Sequence, residues 1–182
     1  SIALFEGNVR CGTKILMSGG TRCNVTNKSV TPKQFFGGSR NFIKNVLSAF
    51  NDQRTIQFFK SIGVELKLEP TGKYFPVDNE AKSVLNSLTR KANEYNVQIF
   101  HSTKINDINF DNNKFELHSG SKKFYCDKVI ITTGGKSYPS TGSDGSGYGL
   151  GKKFNHSATP LFPALSPILL NEPKLKELSG IT

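Results

Sequence analysis

The stretch "KVIITTGG", residues 128–135, restricts the fold of this chain more than any other. Val129, Ile130 and Ile131 are consecutive and β-branched, so a strand built from them is apolar on both faces. A strand with one wet face alternates, whereas a parallel strand covered on both faces does not. The stretch therefore predicts a central parallel strand, with Thr133, Gly134 and Gly135 at its carboxyl end. Parallel strands need crossover connections and helices on the sheet faces, which places the chain in the α/β class. In doubly wound sheets of that class, ligands bind outside the carboxyl ends of the strands.

The remaining segments predict a matching set of elements. "IALFEG" reads as a short buried strand ending at Glu6, and "KILM" as a second short strand through Ile15, Leu16 and Met17. Apolar residues at helical spacing predict a helix over 40–50. A second helix is capped at Asn51 or Asp52 and closed by Gly63, and a third is capped from Asp78 or Asn79. "VELKLEPTGKYFPV" alternates on both sides of a Pro-Thr-Gly turn and predicts a hairpin. The helices and hairpin form an insertion over 28–96. Turns at 111–113 and 119–121 divide the next segment into a β-meander over 104–126. A Gly-rich loop then feeds a short helix, and "ATPLFPALSPILL" is Pro-broken and extended. A meander between parallel strands suits the doubly wound dinucleotide folds.

Three stretches carry residues suited to a ligand. Glu6 ends a strand where an acid can accept hydrogen bonds from two ribose hydroxyls. "SGGTRCN", residues 18–24, combines glycines that permit close backbone approach, a planar guanidinium suited to phosphate, and small polar groups. The alternative for it is a strand-to-helix turn capped by Asn24. "TTGGKSYPSTGSDGSGYG" opens bare backbone at the strand end and supplies glycines for left-handed turns. It is not a P-loop, because "GLGKK" lacks the upstream Gly and the following Ser or Thr.

Size and composition narrow the classes. With 182 residues and 36% hydrophobic content, one domain with a real core is expected. Three cysteines without C-x-x-C spacing and three isolated histidines argue against a zinc site and a disulfide scaffold. No apolar run reaches membrane length. The expected setting is the reducing cytoplasm, without a membrane partner. A net charge of +10 suits an anionic partner such as a nucleotide or RNA.

"GTKILMSGGTRCNVTN", "GKYFPVDNEAKSVLNSL" and the stretch from "VIITTGG" to "PALSPI" together resemble the BaiN/RdsA-type flavoproteins, also known as aminoacetone-oxidase-like FAD-binding enzymes. The resemblance covers nearly the whole chain. It implies an FAD domain of the glutathione-reductase type, driven by NAD(P)H. Family members have been linked to reduction of activated C=C bonds in substrates as different as steroid acids and a uracil in ribosomal RNA.

Carried over by position, the resemblance makes Glu6 the ribose-binding acid. Lys14, Ser18, Gly19, Gly20, Arg22, Cys23 and Asn24 become the loop against pyrophosphate and flavin. Ile105 is matched to the residue whose backbone pairs with adenine. Thr133, Gly134 and Gly135 form a second strand-end contact, and Ser143, Asp144 and Gly145 lie in the loop near the isoalloxazine. Tyr138 and Cys23 are the candidate proton donors, and His156 is expected to be structural.

The chain departs from the family pattern in three ways. Thr21 stands where members carry a third Gly, and its Cβ makes a left-handed backbone costly. Thr13 stands where an Arg is common. The G-x-G-x-x-G strand expected before "IALFEG" and the downstream substrate domain do not occur in the 182 residues. The expectation is an FAD domain incomplete at both ends. The leading reading is thus an FAD-dependent oxidoreductase acting on a small molecule or RNA. The alternatives are a basic RNA-binding module and a fragment that is inactive alone.

Overall fold

The computed structural model describes residues 1–163. The expected extended path over 158–170 therefore lies partly outside the described residues. The fold is mixed α/β. A parallel pair joins β1 (Ala3–Phe5) to β5 (Gln98–Phe100), in the register Ala3 to Gln98 and Phe5 to Phe100. Phe5 and Phe100 stack at 5.2 Å, and Phe124 tilts onto Phe5 at 4.6 Å. This aromatic trio ties the parallel pair to the meander.

Between the two parallel strands lies a helical and hairpin region. It begins with α1 (Thr13–Met17) and β2 (Thr26–Asn27), followed by α2 (Arg40–Ala49) and α3 (Asp52–Ser61). The hairpin β3 (Leu66–Leu68) and β4 (Lys73–Pro76) turns at Gly72, and β2 adds to its far side in the order β2-β4-β3. The α4 helix (Ala81–Glu94) returns the chain to β5. Asn51 caps α3 by accepting the Arg54 N–H at 2.9 Å, and Gly63 ends it at φ 83°. Both follow the sequence expectation. The cap of α4 falls one or two residues later than expected, at Glu80. Asp78 still serves this end, accepting from the Glu80 N–H and the Ser83 hydroxyl.

Two cores hold the molecule. Ile62, Val64, Ala81, Val84 and Cys23 are buried together between α1, α3, α4 and the hairpin, with Ile15 and Leu16 against them. The meander β6 (Asp107–Asp111), β7 (Lys114–Ser119) and β8 (Lys122–Cys126) buries Ile108 and Leu117 against Leu150 of α5 (Ser146–Lys152).

Three expectations are corrected. Residues 13–17 form a helix, not a strand. Gly12, at φ 81°, opens the turn, and its carbonyl accepts the Leu16 N–H at 3.0 Å. An apolar triplet is too short for its period to separate helix from strand. The β1 strand is not fully buried, since Ile2 and Leu4 are exposed. Residues 128–133 are extended in sequence character but join no ladder among the described residues, and Ile130 is 86% exposed. A strand exists through its hydrogen-bonded neighbour, and none of the described segments pairs with this one.

Candidate functional site

The carboxyl ends of β1 and β5 create the site. The Glu6 N–H donates to the Phe100 carbonyl at 2.9 Å, and the Glu6 carbonyl accepts the Thr103 N–H at 2.8 Å. The chain after β5 thus crosses directly in front of Glu6. One Glu6 carboxylate oxygen accepts the Asn8 N–H at 2.8 Å. Carboxylates have about four acceptor positions, so capacity for further donors remains.

The loop 134–145 reaches this edge from the other side. Asn8 Nδ2 donates to the Thr141 carbonyl at 3.2 Å. Lys104 Nζ lies 2.6 Å from Asp144 Oδ2, while Asp144 Oδ1 accepts the Ser146 N–H at 2.9 Å. Lys104 first, then Ser146, hold the Asp144 carboxyl well below its ordinary range. The Lys14 ammonium stands over the Tyr138 ring, 5.3 Å from its centre. Within the loop, Thr141 and Ser143 are buried and Tyr138 is exposed. Gly134 is left-handed at φ 77°, and a Cβ there would stand 2.9 Å from Ser143 Oγ. An open groove of about 410 Å³ continues along α5, lined by Ile131, Thr133, Gly134, Gly147, Tyr148 and His156 among others.

The loop 18–24 has unusual backbone geometry. Gly19, Gly20 and Thr21 are left-handed in succession, at φ 56°, 65° and 69°. All three are exposed, and their N–H groups have no acceptor among the described residues. Exposed and unpaired, these N–H groups remain available as donors to an anion. The Thr21 carbonyl accepts the Ala81 N–H at 3.1 Å, docking the loop on the start of α4. Ser18 Oγ is turned to the Ile15 carbonyl at 3.0 Å.

The structure therefore gathers Glu6, Lys14, Tyr138, Ser143, Asp144 and Gly145 around one edge. Two expected contacts turn elsewhere. Arg22 pairs with Glu69 at 2.6 Å and lies over the Phe75 ring at 4.0 Å, so its fork is already engaged. Cys23 is 7% exposed and packs within the helical core. Asn24 is exposed and leads into β2, which removes the helix-cap alternative. Ile105 packs against the meander core, and its backbone N–H and C=O have no partner among the described residues. Gly135 is half-buried, and a Cβ there would stand 3.4 Å from the Tyr148 hydroxyl. Asn8 and Lys104 carry structural contacts that sequence reasoning missed. Asn8, two residues after a strand-end acid, offered a faint signal, and Lys104 offered none. No group of three metal-ligating side chains occurs among the described residues.

A family model described as the HI0933-like protein Rossmann domain matches residues 1–172. The chain belongs to this family. It is a group of FAD-binding Rossmann flavoproteins of the BaiN/RdsA type, as the sequence resemblance implied. Among the relatives of this HI0933-like chain is a 3-dehydro-bile acid delta(4,6)-reductase from Clostridium scindens. It is 31% identical over 99% of this chain and 44% of its own length. A ribosomal RNA dihydrouridine synthase from Escherichia coli is 29% identical over 97% of the chain and 44% of its own length. Its namesake from Haemophilus influenzae is 28% identical, with 47% of that protein covered. The chain spans less than half the length of these relatives. No helix among the described residues is long and apolar enough to cross a membrane.

Proposed function

We propose that this chain is the FAD-holding part of an oxidoreductase that uses NAD(P)H to reduce an activated C=C bond. The observation that carries the reading is the convergence of Glu6, Lys14 and the loop 134–145 at the carboxyl edge of a parallel strand pair. The residues present fit the cofactor. Glu6 retains acceptor capacity for ribose hydroxyls. The Gly19, Gly20 and Thr21 N–H groups and the Lys14 ammonium offer donors and positive charge for the pyrophosphate. The unpaired Ile105 backbone suits an adenine edge.

When bound, FAD supplies the hydride chemistry, and the protein supplies binding, orientation and electrostatics. Arg22 acts at one remove in this account. By holding Glu69 and Phe75 it ties the loop 18–24 to the hairpin. Tyr138, exposed beside Lys14, is the candidate to hold a proton near the substrate.

The names of the relatives divide between a steroid acid and ribosomal RNA. The net charge of +10 favours RNA of the two, since phosphate contacts dominate such binding. The experiment is anaerobic reduction of the flavin in the full-length protein by NADH and by NADPH. Reoxidation by an unsaturated bile acid or by uridine-containing ribosomal RNA then identifies the substrate class. Bleaching by a nicotinamide and reoxidation by one substrate supports the proposal. Flavin that neither nicotinamide reduces refutes it.

A further inference from the structure

The loop 134–145 touches the strand-end edge through side chains from two separate segments. Asn8, after β1, reaches the Thr141 carbonyl at 3.2 Å, and Lys104, after β5, reaches Asp144 at 2.6 Å. Gly142 closes the first contact, since a Cβ there would stand 3.1 Å from Asn8 Nδ2. Inside the loop, the Thr141 N–H and Oγ1 both bond the Tyr138 carbonyl, at 3.0 and 2.8 Å, so the tip moves as a unit. Asp144 also holds the Ser146 N–H at the start of α5. A pull on Asp144 is therefore transmitted to both the loop and the helix.

We propose that Lys104 and Asn8 are positioning residues that fasten this loop over the strand ends, with Lys104–Asp144 as the releasable fastening. The inference rests on the FAD reading above for its functional consequence, not for its geometry. The two contacts differ in kind. The Asn8 bond is uncharged and backed by Gly142. The Lys104–Asp144 pair is half-exposed, at 51% and 34% of its side chains, so water and salt compete with it. An exposed pair of this kind changes an equilibrium by roughly 1.5- to fivefold. That is too little to hold the loop shut and enough to set how often it opens. Cofactor entry and release past the loop should then follow the state of the pair.

The test uses the full-length protein, Lys104→Met, Asp144→Asn, and the exchange Lys104→Asp with Asp144→Lys. Amide hydrogen exchange over 138–145, without cofactor, should quicken in both single variants and return toward the original rate in the exchanged pair. FAD release, followed by flavin fluorescence after dilution, should quicken roughly two- to fivefold in Lys104→Met. Added salt should quicken release more in the original protein than in Lys104→Met, where only the charge contacts to the cofactor remain to be screened. Unaltered exchange and release in Lys104→Met overturn the proposal. So does an exchanged pair that behaves no better than the singles. If the original protein binds no FAD, the functional reading fails, while the exchange data still decide whether the fastening exists.

Discussion

Thr21 sits at φ 69°, where its Cβ crowds the backbone and a glycine would not. Thr21→Gly should raise stability by about 0.5–1 kcal/mol, the left-handed cost less the added chain entropy, as read from a urea midpoint. An unchanged or lower midpoint would show the loop relaxed around the threonine. Gly134→Ala should act in the opposite sense, because its Cβ meets Ser143 Oγ at 2.9 Å with φ at 77°. A loss of about 1–2 kcal/mol and weakened FAD binding are expected. Asp144 has a lowered folded pKa, so its contribution is complete above the ordinary carboxylate value. It is lost only as pH falls through the lower folded value. Intrinsically corrected amide exchange over 138–145 should therefore match at neutral and mildly acid pH, and early deprotection on acidification would contradict this. The sequence showed the cost at Thr21 because a left-handed threonine is expensive anywhere. It did not show that Arg22 is engaged, because its partner Glu69 lies 47 positions away and only the fold brings them together.

Elements with a full period were readable. The α3 and α4 helices repeat their apolar residues over several turns, and each ends or starts on recognisable polar and glycine signals. The α1 helix was not readable, since five residues hold too little period to oppose the β-like look of Ile15, Leu16 and Met17. Its start depends on Gly12, where a Cβ would overlap the Leu85 side chain at φ 81°. The segment 128–133 failed for another reason: its apolar character is real, but pairing needs a neighbouring strand. Core position separates the helices energetically. Ile62 is 2% exposed, and Ile62→Ala should cost about 2–5 kcal/mol. No residue of α2 is buried, and Phe42 is 68% exposed. Phe42→Ser should stay within about 0.5 kcal/mol by the same denaturation measurement. A large loss at Phe42 would mean that α2 is covered by another surface in solution.

At the scale of the molecule, two cores flank one edge. The helical core fixes the loop 18–24 through Cys23, and the meander core fixes α5 through Leu150. Lys14 over Tyr138 and Asn8 against Thr141 link the two sides. The net charge of +10 suits a site whose proposed cofactor is a dianionic pyrophosphate. The most direct test of this account is the absorption spectrum of the purified full-length protein, followed by identification of any cofactor released on heating. The account predicts a yellow protein that releases stoichiometric FAD. A colourless protein that takes up no FAD on titration would contradict it.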